Sequence, residues 1–106
     1  MLVLGIDTTA DDTCAAVVGD GKNILSNIIH SQSKLHEKYG GIVPQIASRE
    51  HLKNVIPVIH VSLKGAGLKL SDIDLISVGQ SPDKALSYYH VGVTTAKMLA
   101  YVLNIP

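Results

Sequence analysis

A polar stretch, Gly5 to Cys14, lies between two short apolar runs, Leu2 to Ile6 and Ala15 to Val18. Three carboxylates (Asp7, Asp11, Asp12) and three hydroxyls (Thr8, Thr9, Thr13) fall within seven residues of it. The runs are too short for helices and are bounded by turn residues, so they read as two strands joined by a polar loop. Such a loop suits a phosphate and its counter-ion, because hydroxyls and turn N–H groups donate to phosphate oxygens. It equally suits a solvent-facing cap, since Asx-rich turns close many hairpins. Spacing alone leaves both readings open.

The strands continue as a meander. Gly19-Asp20-Gly21-Lys22 is a turn, Asp-Gly being a strong hairpin signal, and Asn23 to Ser31 is a third strand. Ser33 to Gly41 is polar and reads as a break ending in Tyr39-Gly40-Gly41, where paired glycines permit close approach of a ligand. Pro44 suits a helix start. From Gln45 to about Lys64, Ile46, Leu52, Val55, Ile56, Ile59 and Leu63 recur at helical spacing. Pro57 removes the bond to the Lys53 carbonyl, so a kink or two pieces are expected. Gly65 and Gly67 supply the stop. Asp72 to Gly79 is a fourth strand and Gln80 to Leu86 a loop. Val91 to Leu103 is a second helix with Val91, Thr95, Met98, Leu99 and Val102 on its stripe. The order β-β-β-α-β-α implies an α/β fold, a mixed sheet with helices packed on it. Asn104-Ile105-Pro106 looks like the lead into a further strand, so 1–106 reads as a single incomplete lobe, apparently truncated.

Composition narrows the function classes. The 106 residues allow one modest core, and with four tyrosines and no Phe or Trp that core is aliphatic. Lys and Arg total 9 against 9 Asp and Glu, which argues against strong nucleic-acid binding by this segment alone. Cys14 is the single cysteine, which excludes an internal disulfide or a Cys-rich zinc site, and it reads as a packed, inert thiol. Neither a signal peptide nor a membrane-length apolar run is present, so a cytoplasmic protein is expected. There is no Walker loop, no Gly-x-Gly-x-x-Gly and no protease constellation.

Four stretches together resemble one family: Gly5-Ile-Asp-Thr-Thr-Ala-Asp-Asp-Thr13; Ser31-Gln32 with His36 and Tyr39-Gly-Gly-Ile-Val-Pro44; Ala47-Ser-Arg-Glu-His51; and Val91-Gly-Val-Thr-Thr-Ala-Lys97. They are similar to the tRNA N6-threonylcarbamoyladenosine transferases, once misnamed O-sialoglycoprotein endopeptidases. The resemblance implies an actin/Hsp70/sugar-kinase-like (ribonuclease H-like) fold, of which this chain is most of the first lobe. It implies transfer of threonylcarbamoyl from threonylcarbamoyl-adenylate to N6 of the adenosine beside the tRNA anticodon. Family members use iron or zinc, bind adenine nucleotide with magnesium between two lobes, and work with small partner proteins. The resemblance makes Asp7, Thr8, Thr9, Asp11 and Asp12 the nucleotide-side loop of that cleft. His36, Tyr39, Gly40, Gly41, Arg49 and His51 become substrate-pocket candidates.

The departures shape what is expected. The family's His-x-x-x-His metal pair is absent, so no metal ligand and no bound cofactor are assigned to this chain, and the lobe is expected to be inactive alone. Gly79-Gln-Ser-Pro-Asp-Lys84 replaces the usual Thr-x-Gly-Pro-Gly-Leu, Gln45 a glutamate, and Ala10 a common cysteine. A non-catalytic assembly lobe, docking a partner or a second copy through helix 45–64, is the alternative, with tRNA bound only by a complete protein. A sugar- or acetate-kinase-like lobe shares the Asp-x-Thr hairpin but leaves Tyr-Gly-Gly-Ile-Val-Pro unexplained. Other readings are local. His51 also reads as helix surface, Arg49 as a surface ion pair and His60 as structural. Tyr88-Tyr89-His90 is either a base-stacking platform or a core cover, and Lys97 is solvated.

Overall fold

A computed structural model describes residues 1–80 and 87–106. Strands β1 (Leu2–Asp7), β2 (Asp12–Gly19) and β3 (Asn23–Ser31) form the expected meander. Asp20 and Gly21 both take positive φ, 54° and 74°, the geometry of a tight hairpin between twisted strands. β4 (Leu75–Val78) joins β1 in parallel, giving the order β3-β2-β1-β4. It is shorter than the strand read from Asp72 to Gly79. Leu70–Asp72 instead forms a 3₁₀ turn, closed by the Lys69 N–H on the Asp72 carboxylate at 2.8 Å.

Two helices cover one face of the sheet. α2 (Pro44–Ala66) lies on β2 and β3, and α3 (His90–Leu103) lies on β4 and β1. Leu4 and Ile6 of β1 and Ala15 and Val17 of β2 project into a core closed by Val55, Val58, Ile59, Leu63, Ala96 and Leu99. Alternation puts Gly5, Ala16 and Ser77 on the other face, where small side chains leave the sheet shallow.

Several expectations are corrected. Ser33 to Gly41 is not simply a break: it carries a one-turn helix, α1 (Ser33–Glu37), whose inward residue is His36. α2 is one continuous 23-residue element through Pro57, not two pieces. Losing one bond there costs about 3 kcal/mol. Val55, Val58 and Ile59 beside it are buried, each worth about 1.5–3 kcal/mol, so packing holds the helix together. Gly65 lies inside it, and Gly67 ends it in left-handed geometry with the Leu68 N–H on the Leu63 carbonyl. The buried seam of α2 is Ala47, His51, Val55, Val58, Ile59, Ser62 and Leu63. Leu52 and Ile56, placed on the apolar stripe by periodicity, are instead 70% and 53% exposed. Two polar residues occupy seam positions because each finds a partner across the sheet: Ser62 meets the Ser26 hydroxyl at 2.8 Å, and His51 meets the β1–β2 loop. On α3, Met98 and Val102 face out while Gly92, Val93, Thr95, Ala96 and Leu99 face in. Tyr88 and Tyr89 are buried, so they cover the core rather than stack on a base. The altered loop at Ser81-Pro82-Asp83, and most of the stretch read as a loop at 80–86, lie outside the described residues.

Candidate functional site at the carboxyl ends of β1 and β4

Parallel pairing brings the carboxyl ends of β1 and β4 together, the edge where open α/β sheets gather their ligands. Asp7 ends β1. Its Oδ1 accepts from the Thr9 N–H at 2.7 Å and the Thr9 hydroxyl at 2.6 Å, a turn closed by its own carboxylate. Beyond β4 stands Gly79, whose N–H reaches the Ile6 carbonyl at 2.9 Å. A β-carbon there would come within 2.5 Å of Asp7 Oδ2 and 3.2 Å of Thr9 Cγ2. Only glycine leaves the carboxylate in place. Asp7, Cys14 and Gly79 line a cavity of about 360 Å³ that opens on the uncovered sheet face.

Thr8 turns the opposite way and is fully buried. Its Oγ1 accepts the Gly92 N–H at 2.9 Å and donates toward the Tyr88 and Tyr89 carbonyls, each at 3.2 Å. A β-carbon on Gly92 would meet that oxygen at 2.8 Å. The Thr8 hydroxyl is therefore committed to the start of α3, which its contact holds against the loop.

His51 fixes the far side of the loop. It too is fully buried, not on the helix surface. Its Nε2 lies 2.6 Å from the Ala10 carbonyl, which can only accept, so the ring proton sits on Nε2 and Nδ1 accepts from the Thr13 hydroxyl at 2.8 Å. Burial pushes its pKa below the usual 6.5, against the raising influence of the Ala10 carbonyl and of Asp7, Asp11 and Asp12. The Gln32 N–H on the Asp11 carbonyl at 2.8 Å adds a third tie.

His36 forms a second buried node. Its Nδ1 accepts the Val43 N–H at 3.1 Å, so Nε2 donates to the Gln32 side-chain oxygen at 2.9 Å. This ties the end of β3 to the start of α2. His36, Asp11, Gly40 and Gly41 line a cavity of about 370 Å³. Tyr39 is exposed with Lys38 Nζ 5.1 Å from its ring centre, and Arg49 is exposed. Asp12 opens β2 opposite Ser31. The six pocket candidates therefore divide: His36, Gly40 and Gly41 share a cavity with Asp11, His51 lies beneath the loop, and Tyr39 and Arg49 face solvent.

Sequence reasoning named Thr13, Gln32, Gly79 and Gly92 within its motif stretches but gave none of them a place in this arrangement. A glycine directly after a strand parallel to β1 was the available signal for Gly79. Nothing in the spacing pointed to Gln32. Cys14 is part-buried, and burial with the nearby Asp12 and Asp7 charges raises its thiol pKa, which disfavours the thiolate. The described residues do not fit a metal centre: no three His, Cys, Asp or Glu side chains converge among them, and both ring nitrogens of His36 and His51 are already engaged. Nor is any helix among them long and apolar enough to cross a membrane.

Comparison with known proteins matches this geometry to a fold and a family. YeaZ from Pseudomonas aeruginosa superposes with a TM-score of 0.70 at 23% identity, over 99% of this chain and 41% of that one. The likeness shows that the two chains share a fold, a mixed sheet with helices packed on it. The tRNA N6-adenosine threonylcarbamoyltransferase of Geotalea uraniireducens is 50% identical over all 106 residues, and that of Bacillus subtilis 44%. The chain spans 31% and 30% of their lengths, about a third. The family model for tRNA N6-adenosine threonylcarbamoyltransferase matches residues 23–106, and the chain belongs to that family.

Proposed function

We propose that this chain is the nucleotide-side lobe of a tRNA threonylcarbamoyl transferase. The reaction joins the N6 amine of a tRNA adenosine to the carbonyl carbon of threonylcarbamoyl-adenylate. The carbonyl–oxygen bond to phosphate breaks, AMP leaves with the electron pair, and the amine gives up a proton. Catalysis of this kind is chiefly positioning of two bound reactants. The part assigned to this lobe is to present the Asp7–Asp12 loop to the adenylate phosphate, with loop N–H groups as donors and Asp7, held by Thr9, keeping a water or cation beside it. One observation carries the reading. Over all 106 residues the chain is 50% identical to a tRNA N6-adenosine threonylcarbamoyltransferase.

The test is a chimera in which this chain replaces the corresponding first third of the Bacillus subtilis relative. In cells lacking their own transferase, the chimera is expected to restore threonylcarbamoyladenosine in tRNA, read by mass spectrometry of nucleosides. A folded, stable chimera that leaves tRNA unmodified, while the intact relative restores it, would refute the reading.

A second reading is an assembly lobe that pairs with another copy through α2. It is favoured by the exposure of Leu52, Ile56 and, on α3, the 88% exposed Tyr101. A cavity of about 460 Å³ between α2 and α3, lined by Ile56, Leu63, Leu70 and Leu99, adds apolar surface. Light scattering after size exclusion tests it: a strict monomer at high concentration excludes the pairing.

A further inference from the structure

We infer that His51 is a positioning residue for the Asp7–Asp12 loop, acting through its Nε2–H on the Ala10 carbonyl to hold the loop in the shape that meets its ligand. The inference rests on the reading of that loop as adenylate-facing.

Ala10 sits at the crest of the loop and carries no side-chain polar group of its own. Its carbonyl is drawn inward to His51 at 2.6 Å, while the Ala10 side chain stays exposed. One flank of the loop is tied to α3 through Thr8 and Gly92, 84 residues apart in the chain. The other is tied to α2 through Ala10, Thr13 and His51, 41 and 38 residues apart. Without the His51 bond, the tie left beside the crest among the described residues is the Gln32 N–H on the Asp11 carbonyl. In a planar trans peptide an inward Ala10 carbonyl turns the Asp11 N–H of the same peptide outward, away from His51, where it can donate to a ligand. The Asp7, Asp11 and Asp12 charges act on the ring from the loop, and the Tyr88 ring centre lies 6.3 Å away. Charge on the imidazole would therefore be felt first by the loop.

A glutamine at this position places its amide nitrogen near Nε2, and an asparagine places it near Nδ1. His51→Gln is thus expected to keep the Ala10 bond, and His51→Asn to lose it. Two measurements are needed. Hydrogen exchange on the 106-residue chain reads the Gln32 amide, whose bond to Asp11 depends on loop shape. Steady-state kinetics on the chimera described above read KM for threonylcarbamoyl-adenylate and kcat separately.

The expected result is a tenfold or greater loss of Gln32 protection in H51N, with a tenfold rise in KM and kcat within twofold. H51Q is expected to stay within twofold of the parent in both measurements. Thermal unfolding of each variant separates this from global loss of structure. Equal exchange behaviour of H51N and H51Q, or loss of kcat with KM unchanged, overturns the inference. Loss of protection in H51N with unchanged kinetics overturns the reading of the loop as adenylate-facing, while His51's hold on it stands.

Discussion

Gly79 stands so close to Asp7 that a methyl group on it would lie 2.5 Å from the carboxylate oxygen. β4 therefore sets the rotamer of a side chain that belongs to β1. Gly79→Ala is expected to swing the Asp7 carboxylate off Thr9, removing two charge-assisted bonds of 2.7 and 2.6 Å. The cost should be about 1–3 kcal/mol, read as a lower urea midpoint at unchanged m-value.

Thr8 offers a cleaner separation of shape from hydrogen bonding. Thr8→Val keeps the volume but leaves the buried Gly92 N–H without its acceptor. A loss of about 1–3 kcal/mol is expected. Thr8→Ser should recover most of it. Equal stability of the valine and serine variants in urea would show that the bond contributes nothing.

The pH dependence of folding should carry the signature of His51. Its proton is held less tightly in the fold than in the unfolded chain, where the value is near 6.5. Below that pH the unfolded chain takes up more protons than the native one, so stability falls as pH drops from 6.5 toward the lower native value and levels off beneath it. The difference between wild type and H51Q, measured by urea unfolding at pH 7.5 and 5.5, isolates this contribution because the other histidines are common to both.

The inner and outer faces of α2 should respond oppositely to truncation. Ile59→Ala removes a buried side chain from the sheet contact and is expected to cost about 2–5 kcal/mol. Leu52→Ala removes an exposed one and should stay within about 0.5 kcal/mol. Comparable losses at both positions would contradict the seam described above.

These contrasts mark what the sequence could carry. The meander was legible because short apolar runs and an Asp-Gly turn are local signals, and Pro44 and Gly67 bound α2 for equally local reasons. The seam of α2 was not, because periodicity weighs hydrophobicity alone. Leu52 and Ile56 look like core residues, and His51 and Ser62 do not. Burial of a histidine becomes affordable only when Thr13 and Ala10 arrive from 38 and 41 residues away, and no local window contains them. The loop residues of the site were recognisable by type. Their directions were not: Thr8 and Thr9 are neighbours of the same chemistry, yet one bonds into α3 and the other closes a turn with Asp7.

The two flanks of the loop also differ in the length of chain that each must close. β1, β2 and β3 are joined by short turns, so their pairing closes small chain loops, whereas β1 and β4 meet across more than seventy residues, as Leu2 N–H on Asp74 illustrates. Closure over that span is entropically late. The half of the site made by Asp7 and Gly79 is thus expected to assemble after the β1–β2–β3 meander. In native-state exchange the Gly79 amide, bonded to Ile6, should open at lower free energy than the amides between β1 and β2. The carboxylate end of the site exists only where the first strand has met the last one of the sheet, so its integrity reports that the whole sheet has closed.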